Sequence, residues 1–326
     1  MKITETNRHE LNRRDFLKGS ALGGLTAGIL GGPFLPNLDA AKEEFQLNYI
    51  LNSAMYGYTD VGTIIGEVHK TGTEYIDIWP KVHGNQREQA EEMGHDAFRE
   101  LLKKHDVKLG VVTCYVQGPF RLAGEMKFAN SIAGPGTVLV TASGGPKDLK
   151  GTELKSAMRN FVEKMKPHVE EAEEFGCTIA IENHANALLH SPDSIRWFGE
   201  MTTSEKLGSD RLGVALAPHH LPQDGELIGK IAYDLGSGVA FFYAQQHGMG
   251  SSKKLPKEQE MLQMPGRGDL DFTPILAALK KHQYQGFTEI FMHPVPRGVP
   301  ILDSSSAITD AINESRMYLN KCLTQI

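Results

Sequence analysis

The stretch Thr178-Ile179-Ala180-Ile181-Glu182-Asn183-His184 decides the reading of the fold. A short β-branched, apolar run reads as a buried strand, and it ends abruptly on one charged and two polar side chains. The same construction recurs downstream. Arg211–Leu216 runs into Ala217-Pro218-His219-His220, Gly238–Tyr243 into Ala244-Gln245-Gln246-His247, and Phe287–Phe291 into Met292-His293. Upstream, Phe45–Leu51, Glu74–Trp79, Lys108–Tyr115 and Thr137–Thr141 bring the strand candidates to eight.

Amphipathic helical patterns separate the strands: Glu88–His105, Glu153–Phe175, Pro192–Met201, Glu226–Leu235 and Thr273–His282, with Ala307–Leu323 after the last strand. Strand alternating with helix predicts parallel βαβ units, whose crossovers cover both faces of the sheet. Eight units with no second composition regime predict one closed (β/α)8 TIM barrel over residues 42–326. The link after the fourth strand and the segment Gly248–Gly268 read as its long βα loops.

Composition sets the outer bounds. The chain has 326 residues, 40% hydrophobic and 23% charged, which is ordinary for a globular enzyme-sized domain. A formal charge of −6 argues against nucleic acid as a partner, because that partner selects a basic face. Cys114, Cys177 and Cys322 are far apart with no C-x-x-C spacing, so they read as buried hydrophobes rather than a zinc knuckle or disulfide framework. No P-loop, dinucleotide fingerprint or nucleophile elbow is present in the sequence.

The first forty-one residues read as an address. Asn12-Arg13-Arg14-Asp15-Phe16-Leu17-Lys18 precedes a weakly apolar, glycine-rich run from Ala21 to Leu35. That layout resembles a bacterial twin-arginine signal, with cleavage expected near Ala40-Ala41. The resemblance implies the twin-arginine export machinery as a partner, a periplasmic or otherwise exported location, and a mature chain without a transmembrane anchor.

In a barrel of this type, polar residues at the strand exits point into the mouth where ligands bind. The fifth to eighth exits bring Glu182, His220, Gln245 or His247, and Glu289 to one rim. Pro265-Gly266-Arg267-Gly268-Asp269-Leu270-Asp271-Phe272 and Gln285-Gly286-Phe287-Thr288-Glu289 add two further fragments in order. Together these residues resemble the xylose isomerase-like (sugar phosphate isomerase/epimerase) superfamily.

The resemblance implies one divalent cation (Mn²⁺, Zn²⁺, Co²⁺ or Mg²⁺), held by Glu, Asp, His and Glu at exits five to eight. Glu182 and Glu289 match the first and last of these, while Ala217 stands where Asp is expected. On strand seven the ligand is either Gln245 or His247. His220, His184, Arg267 and Trp79 are expected to line the substrate, with His184 alternatively orienting Glu182 and Trp79 alternatively filling the mouth. The chemistry implied is proton transfer next to a carbonyl of a small carbohydrate, with Glu182 and Glu289 removing and returning the proton. A lyase or dehydratase using the same enolate chemistry on an oxidised sugar is a second expectation, and a non-catalytic carbohydrate-binding barrel a third.

Overall fold

A computed structural model describes residues 45–326. The twin-arginine segment at Arg13-Arg14 and the cleavage place near Ala40-Ala41 lie outside them. Within them, eight parallel strands follow chain order around a closed barrel: β1 (Asn48–Asn52), β2 (Tyr75–Ile78), β3 (Lys108–Thr113), β4 (Val138–Ala142), β5 (Thr178–Glu182), β6 (Leu212–Leu216), β7 (Val239–Ala244) and β8 (Phe287–Ile290). Closure is the pairing of β8 with β1, where Ile50 stands level with Glu289.

Helices cover the outside of the strands, as the alternating pattern requires. Glu88–His105 is two helices rather than one, Gln86–Met93 and His95–Lys104. The break is Gly94, whose φ of 86° no ordinary helical residue adopts. A helix at Ala123–Ala133 has no counterpart in the sequence reading; it is short and rich in small side chains, so its apolar periodicity is weak. The Gly248–Gly268 loop contains two short helical turns, Lys257–Glu260 and Met261–Gln263.

Register decides which side chains enter the barrel, because residues paired level with one another in a parallel sheet project from the same face. Asn52 is level with Asp77, Ala142 and Ala215 with Glu182, and Tyr243 with Glu289. These positions form the interior level nearest the strand exits. Deeper down the filling is apolar, and Gly110 makes room for it. A Cβ there would stand 2.8 Å from Ile50 Cδ1 and 2.9 Å from Phe287 Cζ. The polar site therefore rests on a packed floor rather than over a pore.

Candidate active site

Glu182 is the last residue of β5 and is buried, and the chain after it turns at once into a polar loop. Asn183 ties that exit to the next. Its Oδ1 accepts from the Ala217 backbone N–H at 2.7 Å and its Nδ2 donates to the Ala217 carbonyl at 2.9 Å. This two-point clasp fixes β5 against the turn Pro218–His220 and brings His220 Nε2 to 3.6 Å from Glu182 Oε1. Downstream, the loop is pinned by Leu189 N–H donating to Ser143 Oγ at 3.0 Å and Leu188 N–H donating to the Gly144 carbonyl at 2.7 Å. His184 then lies against His220, with ring centroids 4.1 Å apart and the rings tilted by 49°.

Glu182, His184 and His220 each present a ligand atom, all within 4.8 Å of one another. Among the described residues they form a possible divalent-metal site. One carboxylate with two imidazoles is a donor set that suits Zn²⁺ and its borderline neighbours. It suits Mg²⁺ poorly, because Mg²⁺ is bound mainly through oxygen. Burial raises the Glu182 carboxyl, but the two imidazoles and the Tyr115 hydroxyl outweigh it, and its pKa falls below the ordinary carboxylate range.

Across the mouth the environment is reversed. Glu289 on β8 is fully buried, and its Oε1 accepts from Asn52 Nδ2 at 2.5 Å. Its neighbour is Asp77 on β2, also fully buried, whose Oδ2 accepts from Thr113 Oγ1 at 2.8 Å. The remaining oxygens, Asp77 Oδ1 and Glu289 Oε2, have no donor partner. One proton between the two carboxyls satisfies both. Burial pushes Asp77 up to about 7 against the bonds from Glu289 and Thr113. Burial first, and then the Asp77 charge, drive Glu289 well above the carboxylate range. Glu289 thus holds a proton where Glu182 does not.

The other expected site residues are distributed as follows. Neither Gln245 nor His247 joins the Glu182 group. Gln245 Nε2 donates to Gln263 Oε1 at 3.0 Å inside the loop, and His247 Nδ1 lies 3.2 Å from the His219 carbonyl, as a donor to it. The β7 side chain level with Glu289 is Tyr243, whose hydroxyl meets that of Tyr115 at 3.2 Å. Glu289 is engaged by Asn52 and Asp77 rather than by the imidazoles. Arg267 pairs with Glu314 on the exposed side of the last helix, Ser305–Leu323. Trp79 is buried in the mouth wall against Phe291 (5.0 Å) and Tyr115 (5.6 Å).

Asn52, Asp77, Tyr115 and Tyr243 were not singled out from sequence. Asp77 left a signal, a carboxylate in the middle of the apolar run Tyr75-Ile76-Asp77-Ile78-Trp79. Asn52 sits one residue beyond the expected end of its strand. The cleft lined by Tyr75, Lys108 and Phe287 opens at the opposite, N-terminal ends of the strands and takes no part in this site.

Residues 65–312 match the family described as xylose isomerase-like TIM barrel. The chain belongs to that family. Solved structures similar to this xylose isomerase-like barrel include the IOLI protein with a binding zinc atom, at a TM-score of 0.61 and 15% identity over 86% of this chain and 99% of that one. An L-ribulose 3-epimerase aligns at 0.59 and 10% identity over 86% and 95%. A D-psicose 3-epimerase from Clostridium cellulolyticum H10, solved with D-tagatose, aligns at 0.59 and 14% over 85% and 99%. At these identities the likeness shows the fold. No curated protein matches the chain.

Proposed function

We propose that the protein is a sugar isomerase or epimerase that moves a proton on and off the carbon next to a carbonyl, with Glu182 and Glu289 as the two proton-transfer groups. The observation that carries this reading is the contrast between their surroundings on one barrel mouth, Glu182 beside two imidazoles and Glu289 buried beside a second carboxyl with its Oε2 unpartnered. Environments that push two carboxyls apart assign them as base and acid. Glu182, ionised beside His184 and His220, takes the proton. Glu289 returns one from the other side, and Asp77 keeps it supplied. The Tyr115 and Tyr243 hydroxyls, held protonated by burial, donate to the substrate oxygens where negative charge develops.

A divalent cation on Glu182, His184 and His220, of the Zn²⁺, Mn²⁺ or Co²⁺ kind, would neutralise charge on those oxygens. The family and the epimerases among its structural neighbours support a carbohydrate substrate. The Arg13-Arg14 segment supports action outside the cytoplasm.

A ketose and aldose panel followed by product NMR tests the reading, and a new stereoisomer or aldose–ketose pair is expected. An unsaturated product would favour elimination instead. The Tyr115–Tyr243 hydroxyl pair is the specific feature that would serve it, because either hydroxyl can protonate a departing oxygen. Sugar binding without proton exchange on any member of the panel would leave a binding protein and overturn both.

A further inference from the structure

A second polar group occupies the same mouth, apart from Glu182 and its imidazoles. Arg297, on the loop after β8, is partly buried, yet among the described residues no carboxylate lies within salt-bridge distance of it. The nearest acidic influence is Glu260, which is already taken by Lys254 at 3.1 Å and Lys257 at 2.8 Å. The guanidinium donates to the Pro294 carbonyl at 2.5 Å, and to the Ser251 carbonyl and Oγ at 3.0 and 3.4 Å. That leaves about two of its five N–H groups unused.

Imidazoles and an aromatic ring lie next to this unmatched charge. His293 precedes the Pro294 whose carbonyl Arg297 holds, and its ring lies 5.1 Å from that of His83 by centroid, with Trp79 beside both at 5.3 and 6.5 Å. The His293 Nδ1 is buried without a hydrogen-bond partner. Burial and then the Arg297 charge hold both rings neutral, His83 at about 4 and His293 well below its ordinary value. Each ring therefore offers one N–H donor and no charge at neutral pH. The His293 ring lies 6.1 Å from that of His219, which in turn lies 4.7 Å from that of His220, so this group borders the proton-transfer site.

A partly buried guanidinium without a counter-charge is costly, and the surroundings offer donors but no acceptor charge to match it. One positive charge with free N–H groups suits a carboxylate, which they can take through charge-assisted hydrogen bonds. It under-compensates a phosphate ester, which carries nearly two negative charges at neutral pH. We infer that Arg297, His83 and His293 form a subsite for the carboxylate of a sugar acid. The inference rests on the proposed sugar-directed reading and names its substrate class as acidic sugars, such as uronic or aldonic acids.

Direct binding tests this without turnover. Calorimetric titration of the full chain compares D-glucuronate, D-galacturonate and D-gluconate with their neutral parent sugars and with glucose 6-phosphate. At least one acid is expected to bind about tenfold or more tightly than its neutral parent. Arg297→Met should abolish that preference, Arg297→Lys should retain part of it, and His83→Asn, which leaves the loop bonds of Arg297 intact, should weaken it severalfold. No acid preferred over its parent, a preference that survives Arg297→Met and His83→Asn, or tighter binding of glucose 6-phosphate than of every acid would each overturn the inference. Acid preference without proton exchange would contradict the proposed reaction while leaving the subsite standing, so the two failures are distinguishable.

Discussion

Asp77 and Glu289 meet inside the barrel as two fully buried carboxyl groups, each with one oxygen, Asp77 Oδ1 and Glu289 Oε2, that no donor satisfies. They come from β2 and β8, the two neighbours of β1, whose Asn52 lies level with Asp77 and donates to Glu289. No cation of the described residues pairs with either carboxyl. Like charges so placed cannot both ionise cheaply, which favours the protonated Glu289 that the proposed reaction needs as its acid.

The burial of Asp77 has a consequence for stability. Asp77 titrates at about 7 in the folded chain against an ordinary value of 3.8. Its folded pKa is raised, so its contribution is fully present below about pH 4 and is lost as pH rises toward 7. The slope is at most about 1.4 kcal/mol per pH unit. Asp77→Asn should flatten the fall in thermal midpoint across that window. Calorimetric melts of both proteins between those limits check it, and identical slopes would contradict the raised pKa of Asp77.

Metal binding should follow the Glu182, His184 and His220 group. Zn²⁺ at a hundredfold over its Kd should stabilise the protein by about 2.7 kcal/mol, because it binds only the folded site. His184→Ala and His220→Ala should each lose most of that stabilisation, whereas Gln245→Ala and His247→Ala should keep it. Melting with and without Zn²⁺ at that excess gives the answer, and stabilisation that survives both histidine variants would contradict the site.

Ala217 offers a gain-of-function test. It follows Ala215, the residue level with Glu182, by two positions along the chain. Ala217→Asp would add the carboxylate that the resemblance places there and should tighten Mn²⁺ and Mg²⁺ binding by about tenfold, since hard cations favour oxygen donors. Unchanged affinity would mean that position 217 does not reach the metal group.

The barrel was legible in the sequence because eight buried strands separated by amphipathic helices leave an unambiguous pattern of runs and periods. All eight strands fall where the sequence placed them, within three residues at each end. The site was only partly legible. Glu182 and His220 are close in space because exits five and six are adjacent, and that adjacency follows from strand order. Residues that act from strands one and two, Asn52 and Asp77, required knowing which strand closes on which. The strand-seven position depends on counting along a loop. Gln245 and His247 lie beyond the end of β7, where the chain turns away, and register places Tyr243 level with Glu289 instead.

Export makes a separate prediction, on residues before the described barrel. We propose that Arg13 and Arg14 belong to a twin-arginine export signal, so replacing both with lysine should leave folded protein in the cytoplasm. Cell fractionation reads it directly, and unchanged export would contradict a twin-arginine route.

The central claim is that Glu182 and Glu289 exchange a proton with carbon. It is tested most directly by incubating the Zn²⁺- or Mn²⁺-supplemented protein with neutral and acidic sugars in D₂O and reading deuterium at the carbon next to the carbonyl by NMR. The wild-type chain should incorporate solvent deuterium, and Glu182→Gln and Glu289→Gln should each slow it on the order of 10²–10⁴-fold while remaining folded. Deuterium uptake that persists unchanged in both variants, or no uptake from any sugar by the wild-type protein, would contradict the account.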